Sequence, residues 1–192
     1  MYIHESSFVE DVKDIGTGTK IWHFSHVMKG SKIGKNCTIG QNCFIGENVV
    51  IGDNVKIQNN VSIYEGVEIE NDVFIGPSVV FTNVLVPRSE FPVSRKYNKT
   101  KVKRGSSIGA NSTIICGNEI GEYSFIGAGS VVSSNVMNNS LVFGNPAKFK
   151  YLIGESGEKL KMEDSFGCDL VLNHKYRVIE KDNKIISVQK EL

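Results

Sequence analysis

The chain of 192 residues carries almost no net charge, formally +1, so composition offers no electrostatic case for a nucleic-acid partner or a bulk membrane surface. No apolar run approaches the eighteen or so residues a membrane span needs, and the first residues, MYIHESSFVEDVKD, show no basic segment followed by an apolar one. A cytoplasmic protein is expected. Cysteine is sparse: Cys37, Cys43, Cys116 and Cys168 include no C-x2-C pair of the metal-binding kind. Cys37 and Cys43 read as small structural filler, and Cys116, at a corner, as partly exposed.

What the chain has in abundance is one six-residue phrase. From Ile33 to Phe81 it runs KIGKNC, TIGQNC, FIGENV, VIGDNV, KIQNNV, SIYEGV, EIENDV, FIGPSV, VFTNVL. Followed back through Ile3, Val9, Ile15, Ile21 and Val27, the period gives fourteen consecutive sixth residues that are aliphatic or Phe. Four places after each stands a small or β-branched residue, from Thr19, Ser25 and Ser31 through Cys37, Cys43 and Val49 to Val79, with Lys13 the misfit.

A fixed period means a solenoid whose repeats bury their apolar faces against their neighbours. Six residues hold one short strand and one turn, and the turn column Asn36, Asn42, Asn48, Asn54, Asn60, Gly66, Asp72 consists of residues that tolerate positive φ. Three such sides close a triangular coil of eighteen residues, so residues eighteen apart stack one strand spacing, about 4.8 Å, from each other.

The phrase fails at a few places. Trp22 replaces the usual Gly in IWHFSHV and puts Trp22, His23, Phe24 and His26 round one corner, with His23 stacked under Gln41 and Asn59. Tyr64-Glu65 lacks Gly and stacks under Thr82-Asn83. From Val84 to Lys101 the period is lost, and the inward series resumes at Val102, which marks an excursion from one corner. Between Arg88 and Arg104 this stretch holds Arg88, Arg95, Lys96, Lys99, Lys101, Lys103 and Arg104 against only Glu90. The second block, Val102, Ile108, Ile114, Ile120, Ile126, Val132, completes about seven coils, roughly 30 Å tall. Residues 1–149 thus form the solenoid, with the excursion at 84–101, and 150–192 form an extension whose KYRVIEKDNKIISVQ reads as a β-hairpin across Asp182-Asn183. The extension is placed to cap the open end.

IGANSTIICG, IGAGSVV and VFGNPAK resemble the C-terminal coils of hexapeptide-repeat acyltransferases, which are left-handed parallel β-helices. The usual right-handed crossover rule would not have suggested that hand. WHFSHV, IGQNCFIG, KIQNNVSIYEGV and GPSVVFTNVLVPRS are similar to the nucleotide-sugar 3-N-acetyltransferases of surface-polysaccharide (O-antigen) synthesis. Those enzymes acetylate UDP-2-acetamido-3-amino-2,3-dideoxyglucuronate, the first expectation here, or dTDP-3-amino-3,6-dideoxyhexoses. The resemblance covers residues 1 to about 150 and implies an all-β homotrimer with active sites between subunits, acetyl-CoA along the coils and the nucleotide sugar near the loop. This chain departs from the pattern with Val86, where relatives often have Asn, and lacks the zinc-ribbon cysteines some relatives carry, so no metal is expected.

Acetyl transfer to an amine needs a neutral, aimed nitrogen, donors for the developing oxyanion and an exit for one proton. The resemblance puts Asn83 beside the amine, against the plain alternative of a turn Asn. His23 is a base or a sugar partner, or else a polar corner residue. Gln41, Asn59, Asn60, Tyr64 and Glu65 are the expected substrate contacts, with Asn60 open also to the ordinary positive-φ role and Tyr64 to packing at a trimer interface. Arg88 is the choice for the diphosphate, since a guanidinium forks onto phosphate. Ala110, Gly127 and Ala128 let pantetheine approach backbone, and Asn145, Pro146 and Lys148 resemble the CoA end of the site. The competing classes are a γ-carbonic-anhydrase-like metalloenzyme, for which His23-x2-His26 is the only close pair, and a non-catalytic scaffold, which has no reason to break its repeat at these corners.

Overall fold

The computed structural model describes residues 1–91, 97–181 and 184–191. Among these residues the hexads form three parallel walls of short strands. The first wall stacks Tyr2–Ile3, Lys20–Ile21, Thr38–Ile39, Lys56–Ile57, Phe74–Ile75, Ser107–Ile108, Phe125–Ile126 and Ser140–Gly144. The second stacks Phe8–Val9, His26–Val27, Phe44–Ile45, Ser62–Ile63, Val80–Phe81, Thr113–Ile114 and Val131–Val132. The third stacks Lys32–Ile33, Val50–Ile51, Val67–Ile69, Thr100–Val102 and Glu119–Ile120, continued by single bridges at Ile15 and Val136. The architecture is the parallel solenoid expected from the repeat and the left-handed β-helix implied by the resemblance, with eight parallel rungs on its first wall.

Register follows the predicted coil, as in Tyr2 with Lys20, His26 with Phe44 and Lys56 with Phe74. Past the excursion Val67 pairs with Thr100 and Phe74 with Ser107, so the offset grows from eighteen to thirty-three and fifteen residues are looped out. The Asn98 amide donates to the Asn83 carbonyl at 3.0 Å and closes the base of the loop. The loop is therefore shorter than the loss of period suggests: Thr100 and Lys101 already lie in the third wall.

The core is a single column system of inward Ile and Val, with Ile21, Ile39, Ile57, Ile75, Ile108 and Ile126 of the first wall fully buried. The second inward position is polar without penalty because each hydroxyl reaches a carbonyl of the coil above: Thr19 to Gly34, Ser25 to Gly40, Ser31 to Gly46. Cys37 and Cys43 continue that series, each thiol 3.1 Å from the carbonyl of Gly52 or Gln58. Burial pushes both thiols up, with backbone and hydroxyl contacts opposing it only in part. Cys116 is 2 % exposed rather than partly exposed, because Asn98, at the returning end of the loop one coil below, lies against it with its side-chain amide 3.8 Å from the sulfur.

The corner asparagines adopt the positive φ their column predicted, from 56° at Asn36, Asn42 and Asn48 to 61° at Asn60. Their side chains also link coils, as when the Asn42 amide donates to the Asn60 carbonyl at 3.0 Å. On the third wall the outward residues are ion-paired: Lys101 with Glu70 at 2.8 Å, Lys103 with Glu119 at 2.6 Å, and Arg104 with Asp72 at 3.1 Å. Lys101 holds the Glu70 carboxyl below its ordinary range, although burial opposes this, and Glu70 raises Lys101 in return.

After Ser140–Gly144 the chain turns back as Ala147–Leu152, an antiparallel strand that covers the edge of the first wall. The extension is larger than a hairpin. It is an antiparallel sheet of Lys161–Glu163, Phe166–Asp169, His174–Lys181 and Lys184–Lys190 among the described residues; Asp182-Asn183, where the sequence predicts the turn, lies outside them. The first two strands are not legible in the sequence because Lys161, Met162 and Glu163 are all exposed and the buried residues of Phe166–Asp169 are Gly167 and Asp169. Leu152, Leu160, Tyr176, Val178 and Val188 form its own small core, against which Met137 of the last coil packs. Asp169, fully buried, accepts from the Ser156 amide at 3.0 Å, the Ser156 hydroxyl at 2.8 Å and the Val171 amide at 3.0 Å. Burial works against its charge, yet these donors outweigh it and lower its pKa.

Candidate functional site

Most of the residues singled out above lie on two edges of the prism. The edge between the first and second walls carries His23, Gln41, Asn59, Ala110 and Ala128 in one stacked column. Backbone bonds prove the stack: Asn42 N–H to His23 O at 2.9 Å, Asn60 to Gln41 at 3.0 Å, Ser78 to Asn59 at 2.9 Å, Asn111 to Pro77 at 2.9 Å and Gly129 to Ala110 at 2.8 Å. The column therefore changes character along its length, from the His23 ring at its N-terminal end, through the amides of Gln41 and Asn59 and then Pro77, to Ala110 and Ala128.

The second edge, between the second and third walls, carries Tyr64, Glu65, Thr82 and Asn83. It is separated from the first by the width of the second wall, so one chain does not bring Asn83 together with His23 or Asn59. An aromatic line climbs that wall and ends at the second edge: Phe8 to His26 at 5.4 Å, His26 to Phe44 at 5.8 Å, Phe44 to Tyr64 at 5.6 Å.

Side-chain partners sort the candidates. Asn83 is half-buried, and its side chain makes no hydrogen bond among the described residues, which leaves its amide available; its corner is fixed from behind by the Cys116 amide donating to Thr82 Oγ1 at 2.9 Å. Asn59 accepts the Gln41 backbone N–H at 3.0 Å, the same brace that Asp53 gives Lys35 and Asn71 gives Asp53, so its carbonyl is structural and only its NH2 is left for a ligand. Asn60 is a corner residue at φ 61° whose carbonyl is taken by Asn42, so its scaffold role is the visible one. Glu65 receives Asn48 at 3.5 Å. His23 stacks on His4 with ring centroids 3.5 Å apart, while His26 Nε2 lies 3.0 Å from Glu10. The two histidines do not converge, and among the described residues no three His, Cys, Asp or Glu side chains cluster.

The basic segment divides. Lys101, Lys103 and Arg104 belong to the ion-paired third wall and its following corner, not to the loop; Arg95 and Lys96 lie outside the described residues. Arg88 is exposed and bonds the neighbouring Pro87 carbonyl at 3.0 Å. At the C-terminal end Gly109 must be glycine, since a Cβ there would sit 2.5 Å from the Ala128 nitrogen. Pro146 and Lys148, with Val136, Met137 and Lys184, line a cleft of about 750 Å³; Asn145 is exposed outside it. The cleft went unforeseen because its wall at Lys184 comes from the extension.

Two repeat families match this chain: bacterial transferase hexapeptide (six repeats) over residues 14–47 and 48–83, and the hexapeptide repeat of succinyl-transferase over residues 104–134. The chain belongs to the hexapeptide-repeat family. Within that family it is 45 % identical over 81 residues to dTDP-3-amino-3,6-dideoxy-alpha-D-galactopyranose 3-N-acetyltransferase of Aneurinibacillus thermoaerophilus, covering 42 % of each chain. It is 33 % identical over 99 residues to galactoside O-acetyltransferase of Lactococcus lactis, covering 47 % of this chain and 48 % of that one. The chain spans under half the length of these two relatives in the matched stretches. Among solved structures, a point mutant of an N-acyltransferase from Bacillus cereus in complex with dTDP and coenzyme A superposes with a TM-score of 0.66 at 22 % identity, covering 79 % of this chain and 92 % of that one, and shows the shared fold. A maltose O-acetyltransferase from Clostridium difficile gives 0.58 at 26 % identity, covering 65 % and 70 %.

Proposed function

We propose that this chain is an N-acetyltransferase that moves acetyl from acetyl-CoA to the 3-amino group of a nucleotide-linked sugar, working as a homotrimer in the cytoplasm. The observation that carries the reading is the 45 % identity over 81 residues to a 3-N-acetyltransferase. That relative moves a dTDP-linked 3-amino-3,6-dideoxyhexose ahead of the UDP-linked amino uronate as acceptor.

In the reaction the amine nitrogen attacks the thioester carbonyl carbon, the carbon–sulfur bond breaks, and the departing thiolate takes the proton the nitrogen releases. A sugar amine flanked by electron-withdrawing oxygens is less basic than a lysine amine, so positioning carries most of the work. Asn83, its amide unengaged, orients the amine or donates to the oxyanion. The separation of the two edges within one chain favours assembly, since packed prisms bring the Asn83 edge of one copy to the His23–Ala128 edge of the next. Ala110, Gly127 and Ala128 suit the pantetheine arm because nothing beyond a Cβ stands between it and the backbone, and Arg88 is the loop cation for the diphosphate.

A thiol-release assay with acetyl-CoA against UDP-linked 3-amino uronate, dTDP-linked 3-amino and 4-amino dideoxyhexoses, and free amino sugars tests the proposal. Release is expected with a 3-amino nucleotide sugar; release with none of the panel by correctly assembled protein overturns it.

A further inference from the structure

The corner at Trp22, His23 and Phe24 contains a feature that scaffold geometry does not require. On this edge the third corner position has positive φ in every coil from the second to the seventh: Phe24 58°, Asn42 56°, Asn60 61°, Ser78 59°, Asn111 56° and Gly129 68°. The residues are small or polar except at Phe24. A bulky side chain in this region is strained, whereas Asn and Gly occupy it readily. The other large residue in such a position, Tyr123 at φ 52°, is half-buried with its ring packed over Gly105. Phe24 has no such return: it is 69 % exposed, and its nearest ring among the described residues, His23, is 6.0 Å away. Strain retained at an exposed side chain points to work done outside the fold.

The neighbouring rings indicate what that work is. Trp22, 39 % exposed, lies within 9° of parallel to His23, which stacks on His4 at 3.5 Å; Tyr2 packs behind Trp22 at 5.5 Å. Together they form one ordered set of rings with Phe24 projecting beside it. The ring set is confined to the lowest rungs of the edge, since the next rungs present Gln41, Asn42, Asn59 and Asn60. The exposed rings of Trp22 and Phe24 offer flat faces on which a planar heterocycle can stack. Directly above stands exposed Gln41, whose side-chain amide has no hydrogen-bond partner among the described residues and offers a donor beside an acceptor. The imide edge of uracil or thymine offers the same alternation in reverse.

We infer that the Trp22–His23–Phe24 corner is the stacking platform for the pyrimidine base of the nucleotide, with Gln41 reading the imide edge. This rests on the reading of the acceptor as a nucleotide sugar and assigns its base to the N-terminal end of the edge. The small residues Ala110 and Ala128 stand four and five rungs above His23, about 19 and 24 Å away at the strand spacing. The two substrates would then approach along one edge from opposite ends, with the amide rungs between them.

The test is titration calorimetry of dTDP, UDP and ADP against the wild type, Phe24→Asn and Phe24→Leu. Phe24→Asn restores the residue of the neighbouring coils, so it should raise Tm while weakening dTDP or UDP binding about five- to a hundredfold, the range for removing one base–aromatic stack. Phe24→Leu keeps apolar bulk without a ring face and should weaken binding in the same direction; ADP should bind the wild type less well than the pyrimidine nucleotides. In turnover, the KM for the nucleotide sugar should rise and that for acetyl-CoA hold. Unchanged nucleotide affinity in both variants overturns the inference, as does dissociation of the oligomer in light scattering, which would make a second copy the occupant. Transfer to a nucleotide sugar with a KM unmoved by Phe24→Asn defeats this inference and leaves the proposed function standing; nucleotide binding that depends on Phe24, with no transfer to any sugar, does the reverse.

Discussion

Replacing Asn83 by alanine removes the one amide the mechanism requires while sparing the corner that presents it. The Asn98–Asn83 bond that closes the loop uses the Asn83 backbone carbonyl at 3.0 Å, and the neighbouring brace runs from Cys116 N–H to Thr82 Oγ1 at 2.9 Å. Neither needs the Asn83 side chain, so stability should change by no more than about 0.5 kcal/mol, as for surface substitutions that break no feature. The rate is another matter. An oxyanion donor is worth about 10²–10³ in kcat, or about 2.7–4 kcal/mol, when it acts only in the transition state. Stopped-time thiol release with an accepted amino sugar, paired with calorimetry for CoA, should therefore show kcat down by about two to three orders of magnitude and CoA affinity within about twofold. An unaltered kcat refutes the role; a parallel loss of CoA affinity makes Asn83 a binding residue instead.

The remaining predictions concern the scaffold. Ile57→Ala, at a fully buried rung in mid-stack, should cost about 2–5 kcal/mol by chemical denaturation, since a rigid coil cannot collapse into the space left. Asp169→Ala should strand the Ser156 and Val171 amides and loosen the extension by at least about 3 kcal/mol, read by hydrogen exchange of Phe166–Asp169. Because its folded pKa is lowered, the stabilisation from Asp169 is complete above the unfolded value of about 3.9 and disappears as pH falls through the lower folded value; stability that is flat across that window contradicts the assignment. Iodoacetamide should label Cys168 well before Cys37 and Cys43, whose thiols burial pushes up; early labelling of Cys43 would mean that the coil opens.

How much of this was legible depends on how local the cause is. The coil, its register and the corner asparagines follow from a six-residue period because every rung repeats one packing problem, and His23, Gln41 and Asn59 fall on one column by counting alone. The division of the basic segment was not legible: Lys101 and Lys103 look like loop cations until the strand Thr100–Val102 is seen to pair with Val67–Ile69 and place them beside Glu70 and Glu119. That pairing spans a gap whose length no periodicity fixes. Of the extension only the hairpin is legible, because His174–Lys181 and Lys184–Lys190 carry long apolar alternations, whereas Lys161–Glu163 is wholly exposed and the buried residues of Phe166–Asp169 are Gly167 and Asp169. Phe24 is legible as part of the irregular corner but its strain is not, because strain is a property of backbone angle and the residue type is ordinary until φ is known.

Nitrogen and oxygen acceptors are both represented among the similar proteins, so the most direct measurement is the site of the new bond. Incubating the protein with carbon-13-labelled acetyl-CoA and a dTDP-linked 3-amino-3,6-dideoxyhexose, then tracing the acetyl carbonyl by heteronuclear NMR, should place it on the C3 nitrogen as an amide with one CoA thiol released per amide formed. Acetyl on a ring hydroxyl, or release of free acetate with the amine untouched, would contradict the account.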